Sequence, residues 1–292
     1  MTWQNHCRAA TVLLLITCNL TFWCFALLVI VMLRTLQLQS ILYLDKCAAA
    51  CYRAAVRFDD LLLKRISKVD WLVNSADLRR EQTYVMIANH VSWTDVFLLQ
   101  SAVVHNGPII KFLTKKQLLY VPIFAMIVFA FKFPYVNRKR KSAQNNSERR
   151  NEDLERVKRA CAVLRSSPAA MLTFVEGTRF TVEKHATLAS SYRHLLPPRL
   201  GGFSVLLSSL QDFKPPILDA TLCYPKNATF WQFIGGAIQH VQVRIDMYEW
   251  EPANMDDAGV WLERTWEQKD QRLTDYYRNE AQIEGTDSHE QA

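Results

Sequence analysis

The chain reads as an α/β protein with a mixed, largely parallel sheet flanked by helices, preceded by an N-terminal membrane helix or helical hairpin. Three observations predict it. Short apolar runs at residues 84–88, 170–175 and 217–223 alternate with longer stretches of helical periodicity, the pattern of strands joined by helical crossovers. Val241, Val243, Ile245 and Met247 alternate with polar residues, as in a strand with one wet face. Residues 9–33 carry no charge, a run long enough to span about 30 Å of hydrocarbon as a helix.

Taken in order, residues 1–60 are expected to form the anchor, residues 61–255 the α/β domain, and residues 256–292 an amphipathic helix with a frayed tail. The apolar run of the anchor exceeds the 7 to 15 residues of a signal peptide, which favours a retained helix. Residues 35–44 are also uncharged, so a hairpin over residues 9–56 seated in one leaflet is the alternative. Arg8 precedes the run, whereas Arg34, Lys46, Arg53 and Arg57 follow it, which places the downstream domain in the cytoplasm. After the anchor the pattern predicts a helix, a strand at 84–88, a helix at 95–104, an apolar helix at 117–131 and a short strand at 133–136. A helix at 148–165, a strand at 170–175, a helix at about 200–210 and strands at 217–223 and 240–248 follow. Val260, Leu262, Trp266, Leu273 and Tyr277 give the last helix its apolar face, and fraying is expected from Gly285 onward.

With 292 residues, one good core is the expectation. The seven cysteines (7, 18, 24, 47, 51, 161 and 223) are scattered and form no CxxC pair, so we read them as reduced and expect no metal site. Between residues 132 and 150 stand seven basic residues and one acid, a local +6 against +7 for the whole chain. Beside the apolar stretch at 118–131, this block reads as contact with anionic headgroups, each basic residue contributing about 1 kcal/mol. Nucleic acid is the competing partner for a basic block, and the uncharged N-terminal run argues against it.

The chemistry concentrates at two corners. Asn89-His90-Val91-Ser92-Trp93-Thr94-Asp95 follows the strand-like run 84–88. On one helix an i, i+5 pair diverges by about 140°, so His90 and Asp95 meet only if the chain turns from strand into helix between them. There an imidazole and a carboxylate make a general base with an orienting partner. Phe174-Val175-Glu176-Gly177-Thr178-Arg179-Phe180 again follows a strand-like run with polar chemistry. Together with Tyr135-Val136-Asn137-Arg138 and Pro215-Pro216-Ile217, these segments resemble, in order, the four motif blocks of the glycerolipid acyltransferase superfamily. Its archetype acts on 1-acylglycerol-3-phosphate (lysophosphatidic acid). Lys184 and the segment 196–203, which includes Arg199, are similar to a motif between the third and fourth blocks. The details look most like a bacterial inner-membrane branch, also related to lysocardiolipin-type enzymes, in which Leu218-Asp219-Ala220-Thr221-Leu222-Cys223-Tyr224 replaces the archetype's shorter fourth block.

The resemblance implies the glycerol-3-phosphate acyltransferase type of fold and acyl transfer from acyl-CoA or acyl carrier protein to the sn-2 hydroxyl of lysophosphatidic acid, with no cofactor. His90 is then the base and Asp95 its orienting carboxylate. Asn89 orients the pair or contacts the oxyanion. Arg138 and Arg179 grip the acceptor phosphate, Gly177 and Thr178 offer backbone amides, and Glu176 orients the acceptor or an arginine. Lys184 and Arg199 complete the acceptor site or bind coenzyme A phosphates, and Asn137 and Pro216 belong to the substrate-binding blocks. Expected partners are a phospholipid membrane, a lysophospholipid acceptor and the acyl donor, with no nucleic acid. The alternatives are acylation of another lysophospholipid, of lysocardiolipin or lysophosphatidylglycerol type, and a non-catalytic lipid-binding protein on the same fold.

Overall fold

The structure, a computed structural model, describes residues 1–112, 114–131, 133, 135–136, 155, 157–158, 161–162, 164, 167–225, 228–238, 240–250 and 257–290. Asn137 and Arg138, nearly all of the basic block at 132–150 and most of the helix expected at 148–165 lie outside the described residues.

A six-stranded sheet organises the domain. Its strands are β1 (Asp70–Ser75), β2 (Tyr84–Ala88), β3 (Ile109–Phe112), β6 (Ala169–Phe174), β7 (Ile217–Cys223) and β8 (His240–Tyr248), in the spatial order β1-β8-β7-β2-β6-β3. The β7–β8 pair is antiparallel, and the other neighbours run parallel. Two further short strands, β4 (Thr114–Lys115) and β5 (Tyr135–Val136), pair apart from it. Central β2 and β7 are buried at every residue, as strands covered on both faces must be. Val85 and Ile87 point into one core with Phe203, Leu206, Trp266 and Leu273. Tyr84, Met86 and Ala88 point into the other, with Leu98, Leu99, Phe233 and Ile234. Helices α3 (Thr94–Val104) and α7 (Phe230–Ile234) therefore cover one face of the sheet. On the other lie α6 (Leu200–Leu210) and α8 (Ala258–Glu290), and a short helix, α5 (Val182–Thr187), follows β6. The result is the mixed α/β sandwich expected.

Several elements depart from expectation. Strands β1 and β3 carry no clear sequence signal: β1 exposes five of its six residues, and β3 is only four residues long. The apolar helix expected at 117–131 is divided. A 3₁₀ segment, Lys116–Tyr120, precedes α4 (Pro122–Phe131), because proline fits the first position of a helix and not its interior. At the C-terminus α8 continues through Gly285 to Glu290, past the point where fraying was expected.

Of the two N-terminal arrangements, the chain adopts the helical hairpin. Helix α1 (Trp3–Thr35) returns through residues 36–40 into α2 (Ile41–Arg65). Asn19 donates from its side-chain amide to the Ala55 carbonyl at 3.0 Å and to Asp59 Oδ1 at 2.9 Å, and Arg34 pairs with Asp45 near the turn. Both ends of α1 also touch the domain: His6 accepts from the Trp231 indole at 2.9 Å, and Arg34 donates to the Ala130 carbonyl at 3.1 Å. Among the described residues α1 is the one helix long and apolar enough to cross a membrane. Phe22, Phe25, Val29 and Met32 on α1 remain exposed, as do Leu36, Leu38, Ile41 and Leu42 at the turn.

Asp59 supplies a prediction. Burial between the two helices pushes its carboxyl up to about 6, opposed in part by the Asn19 amide. A carboxyl raised on folding favours the fold most at low pH, and that stability is lost as pH rises through about 6. Asp59→Asn should therefore stabilise the protein by about 3 kcal/mol at pH 8, a gain that fades to nearly nothing by about pH 4. Thermal melts in detergent across that range measure it, and a gain independent of pH would contradict the assignment.

Candidate active site

The active-site corner forms where β2 ends and α3 begins. Residues 89–93 carry the chain from Ala88 to Thr94, and this turn is what lets a pair five residues apart meet: His90 Nδ1 lies 2.7 Å from Asp95 Oδ2. Asp95 is fully buried in the first turn of α3, where the helix dipole favours a negative charge. Its other neighbours are donors: the Val91 amide at 2.7 Å, the Ser92 amide at 3.1 and 3.2 Å, and the Tyr224 hydroxyl at 2.6 Å from Oδ1. An acceptor-only carboxylate so placed requires the proton on Nδ1 of His90, leaving the Nε2 lone pair to act as a base. Nε2 has no hydrogen-bond partner among the described residues, and the imidazole retains 18% exposure. The ring is held from behind by Phe174, stacked at 4.0 Å between centroids.

The second corner follows β6. The Phe180 amide donates to the His90 carbonyl at 2.7 Å, which binds the two corners together. Gly177 adopts φ +70°, and a Cβ there would press on the Arg199 side chain at 3.3 Å, so both the turn and the close approach require glycine. Arg179 lies over the exposed Trp93 ring, 4.9 Å from its centroid. Among the described residues Arg179, Lys184 and Arg199 have no carboxylate within ion-pair distance; Arg179 lies against Trp93 of the first corner and Arg199 against Gly177 of the second.

Several expected roles are revised by the contacts. Both polar ends of the Asn89 side chain are engaged by the Leu222 backbone, accepting at 2.9 Å and donating at 3.0 Å. Asn89 therefore ties the end of β2 to β7. Glu176 is buried and reaches no arginine: Oε1 accepts from the His90 amide at 3.4 Å, and Oε2 has no partner among the described residues. Burial raises its pKa well above the ordinary glutamate range, against the pull of the His90 amide and the Lys269 charge. The Gly177 amide donates to the Phe174 carbonyl at 2.9 Å and so is not offered to a ligand. Lys184 braces the loop, donating to Thr178 Oγ1 at 2.8 Å and the Arg179 carbonyl at 2.9 Å. Pro216 lies at the opposite end of the sheet: its carbonyl accepts from Val85 at the start of β2, about 15 Å of strand away from His90. The Arg199 side chain lies against Gly177.

Sequence reasoning missed Tyr224, Thr94 and Lys269. Lys269 on α8 is fully buried, 2.7 Å from Asp219 Oδ1 on β7 and donating to the Ala220 carbonyl at 2.6 Å. Arg272 holds the other oxygen of Asp219 at 2.9 Å and reaches Asp246 at 3.1 Å. Nothing in a charged helical stretch marks one lysine as buried. Tyr224 stood in plain view at the end of the atypical fourth block, without a sign that it points at Asp95.

Comparison with known proteins agrees with this geometry. Residues 72–222 match the model of the Acyltransferase family. The chain is 29% identical over 182 residues to the 1-acyl-sn-glycerol-3-phosphate acyltransferase delta of Mus musculus, covering 58% of this chain and 46% of that protein. It is 25% identical over 213 residues to lysocardiolipin acyltransferase 1 of Mus musculus, covering 67% and 54% respectively. It is also 24% identical over 274 residues to the probable 1-acyl-sn-glycerol-3-phosphate acyltransferase 5 of Arabidopsis thaliana, covering 89% and 70%. The chain thus spans about half the length of the murine relatives it matches. The crystal structure of the 1-acyl-sn-glycerophosphate (LPA) acyltransferase PlsC from Thermotoga maritima superposes with a TM-score of 0.53 at 15% identity, covering 89% of this chain and 95% of that one, a likeness of fold. The strand-to-helix corner with its histidine–aspartate pair sits inside the matched span, and the chain belongs to the Acyltransferase family.

Proposed function

We propose that this chain transfers a fatty acyl group from acyl-CoA or acyl carrier protein to the sn-2 hydroxyl of lysophosphatidic acid, forming phosphatidic acid. The observation that carries the reading is the 2.7 Å contact between His90 Nδ1 and the buried Asp95, with Arg179 over the Trp93 ring of the same corner and no carboxylate paired to it among the described residues. A thioester is a good electrophile and an alcohol a poor nucleophile, so the main need is to remove the hydroxyl proton during attack. His90 Nε2 takes that proton as the oxygen bonds to the thioester carbon. Asp95 stabilises the imidazolium, which returns the proton to the departing thiolate as the carbon–sulfur bond breaks. Arg179, planar and without a carboxylate partner among the described residues, is the group we assign to the acceptor phosphate, with Arg199, against Gly177, as a second cation of the same corner.

The exposed apolar residues of α1 and of the hairpin turn support embedding in a membrane. Because both ends of α1 touch the domain, a hairpin lying in one leaflet accounts for the contacts better than a helix spanning the bilayer. The basic flank from Arg34 to Arg57 and the motif resemblance favour a bacterial inner membrane with the domain on its cytoplasmic side. A larger lysophospholipid, of lysocardiolipin type, is the second reading, favoured by the atypical segment 218–224 and the similarity to lysocardiolipin acyltransferase 1. The intact pair argues against a merely lipid-binding protein.

The test offers lysophosphatidic acid and a panel of lysophospholipids, with acyl-CoA and acyl carrier protein donors, to the chain in native membranes. Transfer to lysophosphatidic acid in preference to the panel is expected. Arg179→Lys keeps the charge but loses the two-pronged hydrogen bonds, so apparent affinity for lysophosphatidic acid should fall about 10-fold or more while that for the donor barely moves. A drop confined to the donor would assign the arginine to coenzyme A instead.

A further inference from the structure

We propose that Tyr224 is a positioning residue for the His90–Asp95 pair, the middle member of a directed hydrogen-bond chain from Thr94 through Tyr224 to Asp95. The inference rests on the base role given to His90 above. Tyr224 lies just past the residues matched by the family model, at the end of β7, whereas Thr94 begins α3. The three side chains are almost wholly withdrawn from solvent, with Tyr224 and Thr94 at 1% exposure and Asp95 at 0%.

The direction of the chain follows from proton inventory. Tyr224 has one hydroxyl proton, and Asp95 Oδ1, 2.6 Å away, can only accept it. The Thr94 hydroxyl, 2.7 Å from the same phenol oxygen, must then be the donor to Tyr224. Thr94 donates to Tyr224, Tyr224 to Oδ1, and His90 Nδ1 to Oδ2, so the carboxylate is gripped from opposite sides by a phenol and an imidazole. Each donor in such a chain polarises the next, and a bond to an ionised acceptor is among the stronger kinds.

Two consequences follow for catalysis. The phenol fixes the rotation of the carboxylate, and with it the plane of the imidazole. It also draws negative charge from Asp95, so removing the phenol would leave more charge on the carboxylate that holds the ring proton. The other charged groups around the pair, among the described residues, are Glu176 after β6, which interacts with Asp95, Lys269 on α8, which acts on Glu176, and Arg179, over the Trp93 ring of the same corner. Phe174 closes the remaining side without charge. Glu176 interacts with Asp95 directly and would mimic the effect, so it requires a control.

The experiment compares Tyr224→Phe, Thr94→Val, Thr94→Ser and Glu176→Gln with the native full-length chain in detergent, using lysophosphatidic acid and an acyl-CoA. Loss of the phenol should lower kcat about 10-fold with both KM values nearly unchanged, and move the acidic limb of the pH–rate profile up by about half to one pH unit. The same upward movement should appear in the ring ¹⁵N titration of His90, which needs no substrate. Tyr224→Phe in the Glu176→Gln background should move the limb as far as in the native background. Placing 3-fluorotyrosine, a stronger donor, at position 224 should move it down. Thr94→Ser should resemble the native enzyme and Thr94→Val fall between it and Tyr224→Phe; this pair decides the matter if Tyr224→Phe does not fold. Unchanged limb and ¹⁵N titration in a folded Tyr224→Phe protein would overturn the proposal. So would a shift that vanishes with Glu176→Gln. If His90→Ala keeps full activity, the base assignment fails instead, and the ¹⁵N data still report on the chain of bonds.

Discussion

His90→Ala is expected to lower kcat by about 10²- to 10⁴-fold while leaving the melting temperature nearly unchanged, because it removes a general base from a partly exposed corner and little from the core. The imidazole contributes one stacking face to Phe174 and one hydrogen bond to Asp95, and Nε2 contributes nothing to the described fold. Kinetics and thermal melts on the same preparation check both halves. Asp95→Asn should lose almost as much activity for a different mixture of reasons. Asp95 also accepts the Val91 and Ser92 amides and the Tyr224 hydroxyl, so an amide there turns an N–H toward donors and loosens the turn. The asparagine variant should therefore melt lower than the alanine variant at His90, although its change is the smaller in shape. Wild-type turnover in His90→Ala would remove the mechanism proposed for this site.

What could be read in advance follows from which constraints are local. Strand β2 was legible because burial on both faces leaves an unbroken apolar run, and β7 because its apolar residues still dominate around Asp219 and Thr221. The corner at residues 89–95 was legible because an i, i+5 pair makes contact only through a strand-to-helix turn. Edge strand β1 was hidden, since an exposed strand reading Asp-Trp-Leu-Val-Asn-Ser has no hydrophobic alternation to announce it. The contacts of Asn89 and Lys184 were hidden for another reason. A polar residue in a motif is read first as a ligand contact, and only coordinates reveal that its donors and acceptors are already taken by Leu222 or by the loop of Thr178 and Arg179. Pro216 was misplaced because order along the chain does not say which end of a strand a motif occupies.

Lys269 is the sharpest case of a non-local constraint, and it carries the largest expected effect on stability. On α8 it lies among glutamates, aspartates and arginines, where a lysine ordinarily stays in water. Here it is enclosed beneath the sheet, over the Trp266 ring at 4.5 Å, with Asp219 and the Ala220 carbonyl as partners. Burial pushes its pKa down and the Asp219 carboxylate pushes it back up. Lys269→Met should cost about 3–5 kcal/mol, because it strips one counter-charge from a fully buried carboxylate and leaves Arg272 alone to hold it. Adding Asp219→Asn should recover a good part of that loss, since the deficit lies in the uncompensated charge more than in the missing contact. The consequence reaches the site through α8. Trp266 donates to the Leu196 carbonyl at 3.0 Å, and Asp270 accepts the amides of Arg193 and His194 at 2.8 and 2.7 Å, so this helix holds the loop that leads to Arg199. Where Lys269→Met still folds, its acceptor KM should rise more than its kcat falls. Denaturant unfolding of the single and double variants, with their steady-state kinetics, measures both effects. A single variant that loses less than about 1 kcal/mol would show that α8 is held by its apolar face alone.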